Sequence, residues 1–479
     1  MAVTERRWDE AQLYRRFLER NPEFDGQFLT GVITTGIYCL PSCPARRPKP
    51  ENVRFFKTPE QARSFGLRPC HRCHPDALYR GEAWSETIFE RTAERIRRNP
   101  AAFGDLTAVA RAAGLSRTSL TTLFQEHGHE SAGAFLRRAR IERACDALRT
   151  GASATDALAA SGFESASAFH QHFLARTGLT PASFARLGGE TEFTVRLPAR
   201  YRIQEALAFQ GRDTCSPSEV VTTTGFRKCL AIDGKPALIS ISIEDGIAVC
   251  RTDAGNAFAA HTAAIRMLGF DCDPAGFERA HANDELLGEV VRRHAGLRVP
   301  LASDSWEALA WAVIGQQISL QAAVRFRREV IAAFGEKHES GMVAHPPAAR
   351  IAELDPAALV RLRFPAFKAE YLISAARAVA SGAIRLSRDW SALHLAREMR
   401  AVRGIGAWTI QYSLLRGLGF ADCLPASDAA LMRGLGRLIG NRPGETGVRE
   451  MMAKYAPFRS LATYHVWRSL ASVEQKELE

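Results

Sequence analysis

Tyr38-Cys39-Leu40-Pro41-Ser42-Cys43-Pro44, answered by Arg68-Pro69-Cys70-His71-Arg72-Cys73-His74, sets two close cysteine pairs 26 residues apart. Each pair offers two thiolates from one tight turn, and the chain between them folds back to bring the pairs together. Four soft thiolate donors in a closed site suit one tetrahedral zinc ion. The basic residues crowding both turns favour the thiolate form. On spacing alone the site is a closed structural zinc knuckle, and nothing in the spacing singles out one cysteine for chemistry.

The chain has 479 residues, 46% of them hydrophobic, and a formal charge of +11. That length predicts about three or four domains, with enough apolar residues for packed cores. The positive balance points to a polyanion, nucleic acid first. No apolar run is long enough to span a bilayer. The polar start from Met1 to Glu10 does not read as a secretory signal. Cys145, Cys215, Cys229, Cys250, Cys272 and Cys423 lack metal spacing and read as reduced, small apolar residues.

The run Gly36 to Arg46, with Pro69 to Asp76, resembles the zinc domain of the Ada adaptive-response family. That resemblance implies zinc on Cys39, Cys43, Cys70 and Cys73, with Cys39 also taking a methyl group irreversibly from a methylated DNA phosphate. A four-thiolate zinc centre carries a net charge of about −2, and methylating one sulfur removes one negative charge, so affinity for DNA phosphate should rise. Pro69-Cys70-His71-Arg72 also matches the active-site tetrapeptide of alkylguanine-DNA transferases. It falls inside the zinc pair, so no guanine repair is expected. The expected elements of this module, residues 1–82, are a helix over Asp9 to Glu19, a strand from Gly31 to Tyr38, a strand over Val53 to Phe56 and a short helix from Pro59 to Phe65.

Residues 83–187 read as helical throughout. Asp105 to Ser116 is a capped helix, a glycine turn and a second capped start, and Arg117 to His127 continues as a helix. This is helix-turn-helix spacing. It recurs in Ala154 to Thr177, with a long helix from Ala134 to Leu148 between the copies. The tail Phe169 to Phe184 resembles AraC-type regulators. By that resemblance Arg117, Thr118, Ser119 and Thr122 face DNA in the first copy, and Ser165, Ser167, His170 and Gln171 in the second. After Gly188-Gly189 the pattern turns to short β-branched runs. Residues 190–290 read as a small antiparallel α+β domain, with a hairpin centred on Gly225 and helices near Arg202 to Gln210 and Ala257 to Leu268.

Residues 291–479 return to helix. Ala392 to Val402 leads into Arg403-Gly404-Ile405-Gly406, and a second helix starts at Ala407-Trp408-Thr409-Ile410-Gln411-Tyr412. Glycines between two helices let the backbone turn sharply and present amides to a phosphate. Leu424 to Leu431 follows, with Asp428 at its centre. The hairpin and the downstream Pro…Asp resemble the helix-hairpin-helix glycosylase superfamily. Ala312 to Gln317 and Pro457 to Trp467 extend the likeness to its AlkA branch, which cuts alkylated bases from DNA. The resemblance implies Asp428 as the catalytic carboxylate, Trp408, Tyr412 and Trp467 as pocket aromatics for a cationic flipped base, and Arg403, Gly404, Gly406 and Gln317 as DNA contacts. Members that also cut the backbone carry a lysine where this chain has Trp408, so a monofunctional enzyme is expected. Arg403 stands where many members have proline, and Gln317 where the duplex wedge is often apolar.

The expected fold class is therefore multidomain and mainly α: a small zinc-bound α/β module, a helical double helix-turn-helix module, an antiparallel α+β domain and an all-α helix-hairpin-helix domain. The expected function is an alkylation-response protein: a zinc-thiolate methylphosphotriester sensor and transcription regulator fused to a glycosylase for 3-methyladenine-type lesions. Its expected partners are double-stranded DNA, damaged and at promoters, and RNA polymerase. It is expected to be a monomer, cytoplasmic in a bacterium and free of any membrane. A zinc-containing regulator whose carboxyl half only binds DNA, and a glycosylase whose zinc module only anchors it, are the alternatives.

Overall fold

The structure, a computed structural model, describes residues 9–20, 24–43, 45–79 and 84–476. Most of the polar start lies outside the described residues. The chain forms two compact units, Met1–Arg91 and Thr92–Glu479.

In the first unit Asp9 and Gln12 form a reciprocal capping box at the start of the helix Glu10–Glu19. Its Phe17 packs with Phe28 and Val53. Strands β1 (Leu29–Val32), β2 (Ile37–Cys39), β3 (Val53–Phe56) and β4 (Arg68–Pro69) form one sheet in the order β3-β1-β2-β4. The single strand expected over Gly31 to Tyr38 is in fact a hairpin. The Gly36 amide donates to the Val32 carbonyl, and Gly36 takes a φ of +65° that suits glycine. Strand β4 is only two residues long and has no local sequence pattern. It pairs parallel with β2, and the Cys70 amide donates to the Tyr38 carbonyl. That pairing lays the two cysteine turns side by side.

The second unit opens with the repeated helix-turn-helix. Leu106–Ala113 and Arg117–Gly128 are joined through Gly114 at φ +70°, and Ala154–Ser161 and Ala166–Thr177 through Gly162 at φ +74°. Ser116 and Ser165 cap the two second helices in the same way. The connecting helix runs Ala132–Arg149. Next comes a five-stranded antiparallel sheet of β5 (Glu192–Arg196), β6 (Glu219–Val221), β7 (Gly225–Ile232), β8 (Lys235–Glu244) and β9 (Ile247–Thr252), ordered β5-β9-β8-β7-β6. The hairpin turn lies at residues 222–224, ahead of Gly225, which opens β7. A Cβ there would come within 2.1 Å of the Ile241 carbonyl oxygen, so the tight cross-strand approach selects glycine. One hydrophobic core runs through this sheet and the second helix-turn-helix copy, from Ile141, Leu148, Phe169 and Phe173 to Val195, Ile239 and Cys250.

Ten helices from Ser305–Gly315 to Arg459–Lys476 pack round a second core, interrupted by a short ribbon of Glu336–Lys337 and Val343–Ala344 that the helical pattern had hidden. Four buried charges join sheet to helices. Lys228 of β7 reaches Glu219 at 2.6 Å and Glu307 at 2.9 Å, and Arg327 reaches the same two carboxylates at 2.5 and 2.7 Å. Burial alone would push the Glu307 pKa up, but the two cations hold it well below the usual carboxylate range.

Candidate active site and metal centre

Asp428 caps the helix Ala429–Ile439, its Oδ1 accepting the Leu431 amide at 2.7 Å. Two indoles also donate to it: Trp467 Nε1 to Oδ1 at 2.9 Å and Trp408 Nε1 to Oδ2 at 2.9 Å. Trp408 stacks on Tyr412 with centroids 5.3 Å apart, and Tyr412 lies 6.2 Å from Trp467. The carboxylate and the three aromatics named from the sequence thus form one cluster. Each carboxylate oxygen has two lone pairs. Both on Oδ1 are engaged, while Oδ2 has one protein donor. A cavity of about 240 Å³ beside the cluster is lined by Trp408, Gln411, Ser427, Arg400, Arg459 and His129.

The approach to Asp428, residues 419–428, is fastened from several sides. Gln411 Oε1 accepts the Leu424 amide at 2.8 Å, and the Ser460 hydroxyl accepts the Cys423 amide at 3.0 Å. Arg459 grips Asp422 with two bonds of 2.6 Å. Sequence reasoning missed Gln411 and Arg459 as supports, because a side chain that bonds a distant backbone amide leaves no local pattern.

The hairpin turn is built for glycine at Gly404. Its φ is +90°, and an added Cβ would lie 2.2 Å from the Tyr371 ring. Gln316 Nε2 donates to the Gly404 carbonyl at 2.9 Å and to Thr409 Oγ1 at 2.6 Å, coupling the Gly315-Gln316-Gln317 turn to the hairpin. Buried Lys368 donates to the carbonyls of Ile314 and Gln316, and burial lowers its pKa to about 8. Neither Gln316 nor Lys368 was singled out from the sequence. Gln317 is exposed at a left-handed φ of +55°, Arg403 is 79% exposed, and nothing fills the space around Gly406. In the helix-turn-helix copies Arg117, Thr118, Ser119, Thr122, Ser165, Ser167, His170 and Gln171 are all exposed.

At the other site the sulfurs of Cys39, Cys43, Cys70 and Cys73 lie within 4.8 Å of one another. Thiols packed this closely share hydrogen bonds, which raise the Cys39 and Cys73 pKa values and lower that of Cys43 to about 7. Four thiolates at this spacing need a cation, and four sulfur donors fit zinc. The Leu40 amide donates to Cys73 at 3.3 Å and the Arg72 amide to Cys70 at 3.4 Å. Among the described residues no backbone donor reaches Cys39, whose exposure is 6%.

A four-cysteine metal module, a paired helix-turn-helix and a helical hairpin beside an aromatic-ringed carboxylate define a DNA-acting protein that joins a regulator to a repair fold. Residues 12–76 match the metal binding domain of Ada, residues 109–187 a helix-turn-helix domain, and residues 310–457 the HhH-GPD superfamily of base excision DNA repair proteins. The chain thus carries an Ada-type zinc domain, an AraC-type helix-turn-helix module and an HhH-GPD domain in that order, and is homologous to bifunctional AlkA/Ada activator and DNA repair proteins. It is 28% identical over 96% of its length to 97% of the Mycobacterium tuberculosis protein named "Probable bifunctional transcriptional activator/DNA repair enzyme AlkA". It is 34% identical over 40% of its length to 66% of the Bacillus subtilis DNA-3-methyladenine glycosylase. Among solved structures, the 3-methyladenine DNA-glycosylase from Archaeoglobus fulgidus shares the fold, with a TM-score of 0.52 at 21% identity, covering 57% of this chain and 97% of that one. No helix among the described residues is long and apolar enough to cross a membrane.

Proposed function

We propose that the protein excises alkylated bases of the 3-methyladenine type from double-stranded DNA with Asp428 as its catalytic carboxylate, and senses methylated DNA phosphates through Cys39. In this reading the modules are 1–82 for sensing, 83–187 for promoter recognition and 190–290 with 291–479 for excision.

An alkylated base carries positive charge, which weakens its bond to the sugar. Flipped from the stack, it meets the electron-rich faces of Trp408, Tyr412 and Trp467. As the C1′–N bond breaks, its electron pair neutralises the base and the sugar becomes oxocarbenium-like. The carboxylate of Asp428 stabilises that cation and accepts a proton from the water that attacks C1′. The two indole donors hold the carboxylate in place and leave a lone pair of Oδ2 for this task. With Trp408 where strand-cutting relatives have lysine, no amine is supplied for a Schiff base.

At the other site the sulfur of Cys39 attacks the methyl carbon of a phosphotriester. A sulfur–carbon bond forms, the carbon–oxygen bond breaks, and its electron pair leaves an ordinary phosphodiester. Zinc held by Cys39, Cys43, Cys70 and Cys73 would keep the four sulfurs deprotonated at neutral pH. Amide donors tie down the charge on Cys70 and Cys73, and Cys39 has none, which leaves its sulfur more nucleophilic than theirs. The methylated centre has lost one negative charge and binds promoter DNA more tightly, with the exposed helix-turn-helix residues reading bases and RNA polymerase as the downstream partner.

The observation that carries the excision reading is the pair of indole N–H groups converging on Asp428. Base release from duplex DNA containing 3-methyladenine tests it. Asn at 428 can still cap the helix, so Asp428→Asn should fold normally yet release base at least about 100-fold more slowly. No release by the wild type would sink the enzyme reading and leave a regulator that only binds DNA. Methyl transfer is read separately, as a mass gain of one methyl on Cys39 after exposure to methylphosphotriester DNA.

A further inference from the structure

We propose that His129, at the end of the first recognition helix, is a positioning residue for the loop that carries Asp428, so that the helix-turn-helix module forms part of the excision site. The inference rests on the excision reading above.

The two helix-turn-helix copies give an internal control. Their second helices, Arg117–Gly128 and Ala166–Thr177, are both 12 residues long, both start at a serine cap and both end in a left-handed residue. In the second copy that residue is Gly178, at φ +69°. In the first it is His129, at φ +54°. A side chain is disfavoured in that backbone region, so an imidazole kept where glycine suits the geometry calls for a reason outside the helix.

The reason lies in what the ring touches. His129 packs edge-on against Phe420, with centroids 5.3 Å apart at 75°. Its Nδ1 lies 3.9 Å from Cys423 Sγ. Phe420 and Cys423 both belong to the segment that leads to Asp428, and His129 also lines the cavity shared by Trp408 and Ser427. Burial lowers the His129 pKa to about 4 and holds the Cys423 thiol protonated, so this is a neutral contact. The adjacent Glu130 anchors the same end of the helix. It pairs with Arg138 at 2.8 Å and with Arg388 at 3.6 Å, Arg388 reaches Asp271 at 3.8 Å, and Asp271 pairs with Arg176 of the second copy at 2.5 Å. Both recognition helices are therefore fixed to the repair fold at their carboxyl ends, while their amino ends, bearing Arg117 and Ser167, stay exposed. Residues 419–428 are closed in by Gln411, Arg459 and Ser460 from the repair fold and by His129 from the regulator.

The test compares the full-length wild type with His129→Gly and His129→Asn. Glycine and asparagine both accept the left-handed conformation, so the helix end is preserved while the ring contact is lost. Hydrogen exchange of the peptide covering Gly419 to Asp428 and single-turnover release of 3-methyladenine are read together, with melting temperature and DNA affinity alongside. Exchange of that peptide should rise in both variants. The excision rate should fall about tenfold through misplacement of the carboxylate, with affinity and melting temperature unchanged. Unchanged exchange in both variants overturns the inference, as does a wild-type excision rate retained by both. If the wild type itself releases no base, the excision reading fails, and the exchange measurement still decides whether His129 holds the loop.

Discussion

At Asp428 one side chain serves two purposes that sequence alone cannot separate. It caps a helix through Oδ1 and faces two indole donors. A hydrogen bond to a charged group is worth about 1.5–3 kcal/mol, so removing one indole N–H should disturb the carboxylate without dissolving the fold. Trp467→Phe should keep the aromatic face and a cooperative fold, lower the melting temperature modestly, and slow base release about tenfold or more, measured under single-turnover conditions. Trp408→Phe should act in the same direction. Equal rates for both variants and the wild type would show that the indoles only pack.

At the level of elements, the hairpin's two glycines differ in what they tolerate. Gly404 combines φ +90° with the Tyr371 ring 2.2 Å from an added Cβ. Gly404→Ala should cost about 1–3 kcal/mol of stability and weaken DNA binding, seen as a lower melting temperature and a higher Kd. Gly406 has ordinary backbone angles and open space around it. Gly406→Ala should leave the melting temperature in place and, on the proposed DNA-binding role of the hairpin, raise the Kd for DNA. The buried charges joining sheet to helices form a second element-scale device. Removing Lys228 leaves two buried carboxylates to share Arg327, one negative charge uncompensated, so Lys228→Met should destabilise the second unit by about 3–5 kcal/mol, measured by chemical denaturation.

Across the whole molecule, the two units draw their stability from different sources. The described apolar clusters of Met1–Arg91 are small, centred on Leu29, Tyr38 and Leu40 and on Phe17, Phe28 and Val53. Small cores commonly need a metal. Chelating zinc from the full-length protein should abolish the melting transition of this unit in calorimetry and leave that of Thr92–Glu479 unchanged. The larger unit should be acid-sensitive. His261, His294 and His345 are buried, and burial lowers their pKa values to about 4, while that of His465 falls to about 3. An unfolded histidine takes up its proton near pH 6.5. Between there and about pH 4 the unfolded chain binds more protons, so stability falls as pH drops, by up to about 1.4 kcal/mol per pH unit for each histidine, and levels off above about pH 7. Denaturation midpoints measured from pH 4 to 8 check this slope.

The sequence by itself determined the module order, the zinc ligands, the repeated helix-turn-helix and the hairpin, because each is written in local spacing: paired cysteines, serine caps with glycine turns, and glycines between helices. It also named Asp428, Trp408, Tyr412 and Trp467, through family likeness more than periodicity. Tertiary structure alone decided how these residues meet. The parallel pairing of β4 with β2 that joins the cysteine turns has no two-residue signature. Gln411 and Gln316 support the site by bonding backbone groups far along the chain, and Lys228 and Glu307 are 79 residues apart. The continuous core beneath the second helix-turn-helix copy and the sheet, and the His129 ring against Phe420, arise where two surfaces pack. Such contacts depend on the relative placement of whole elements, and that placement is fixed by burial summed over many residues rather than by any short stretch.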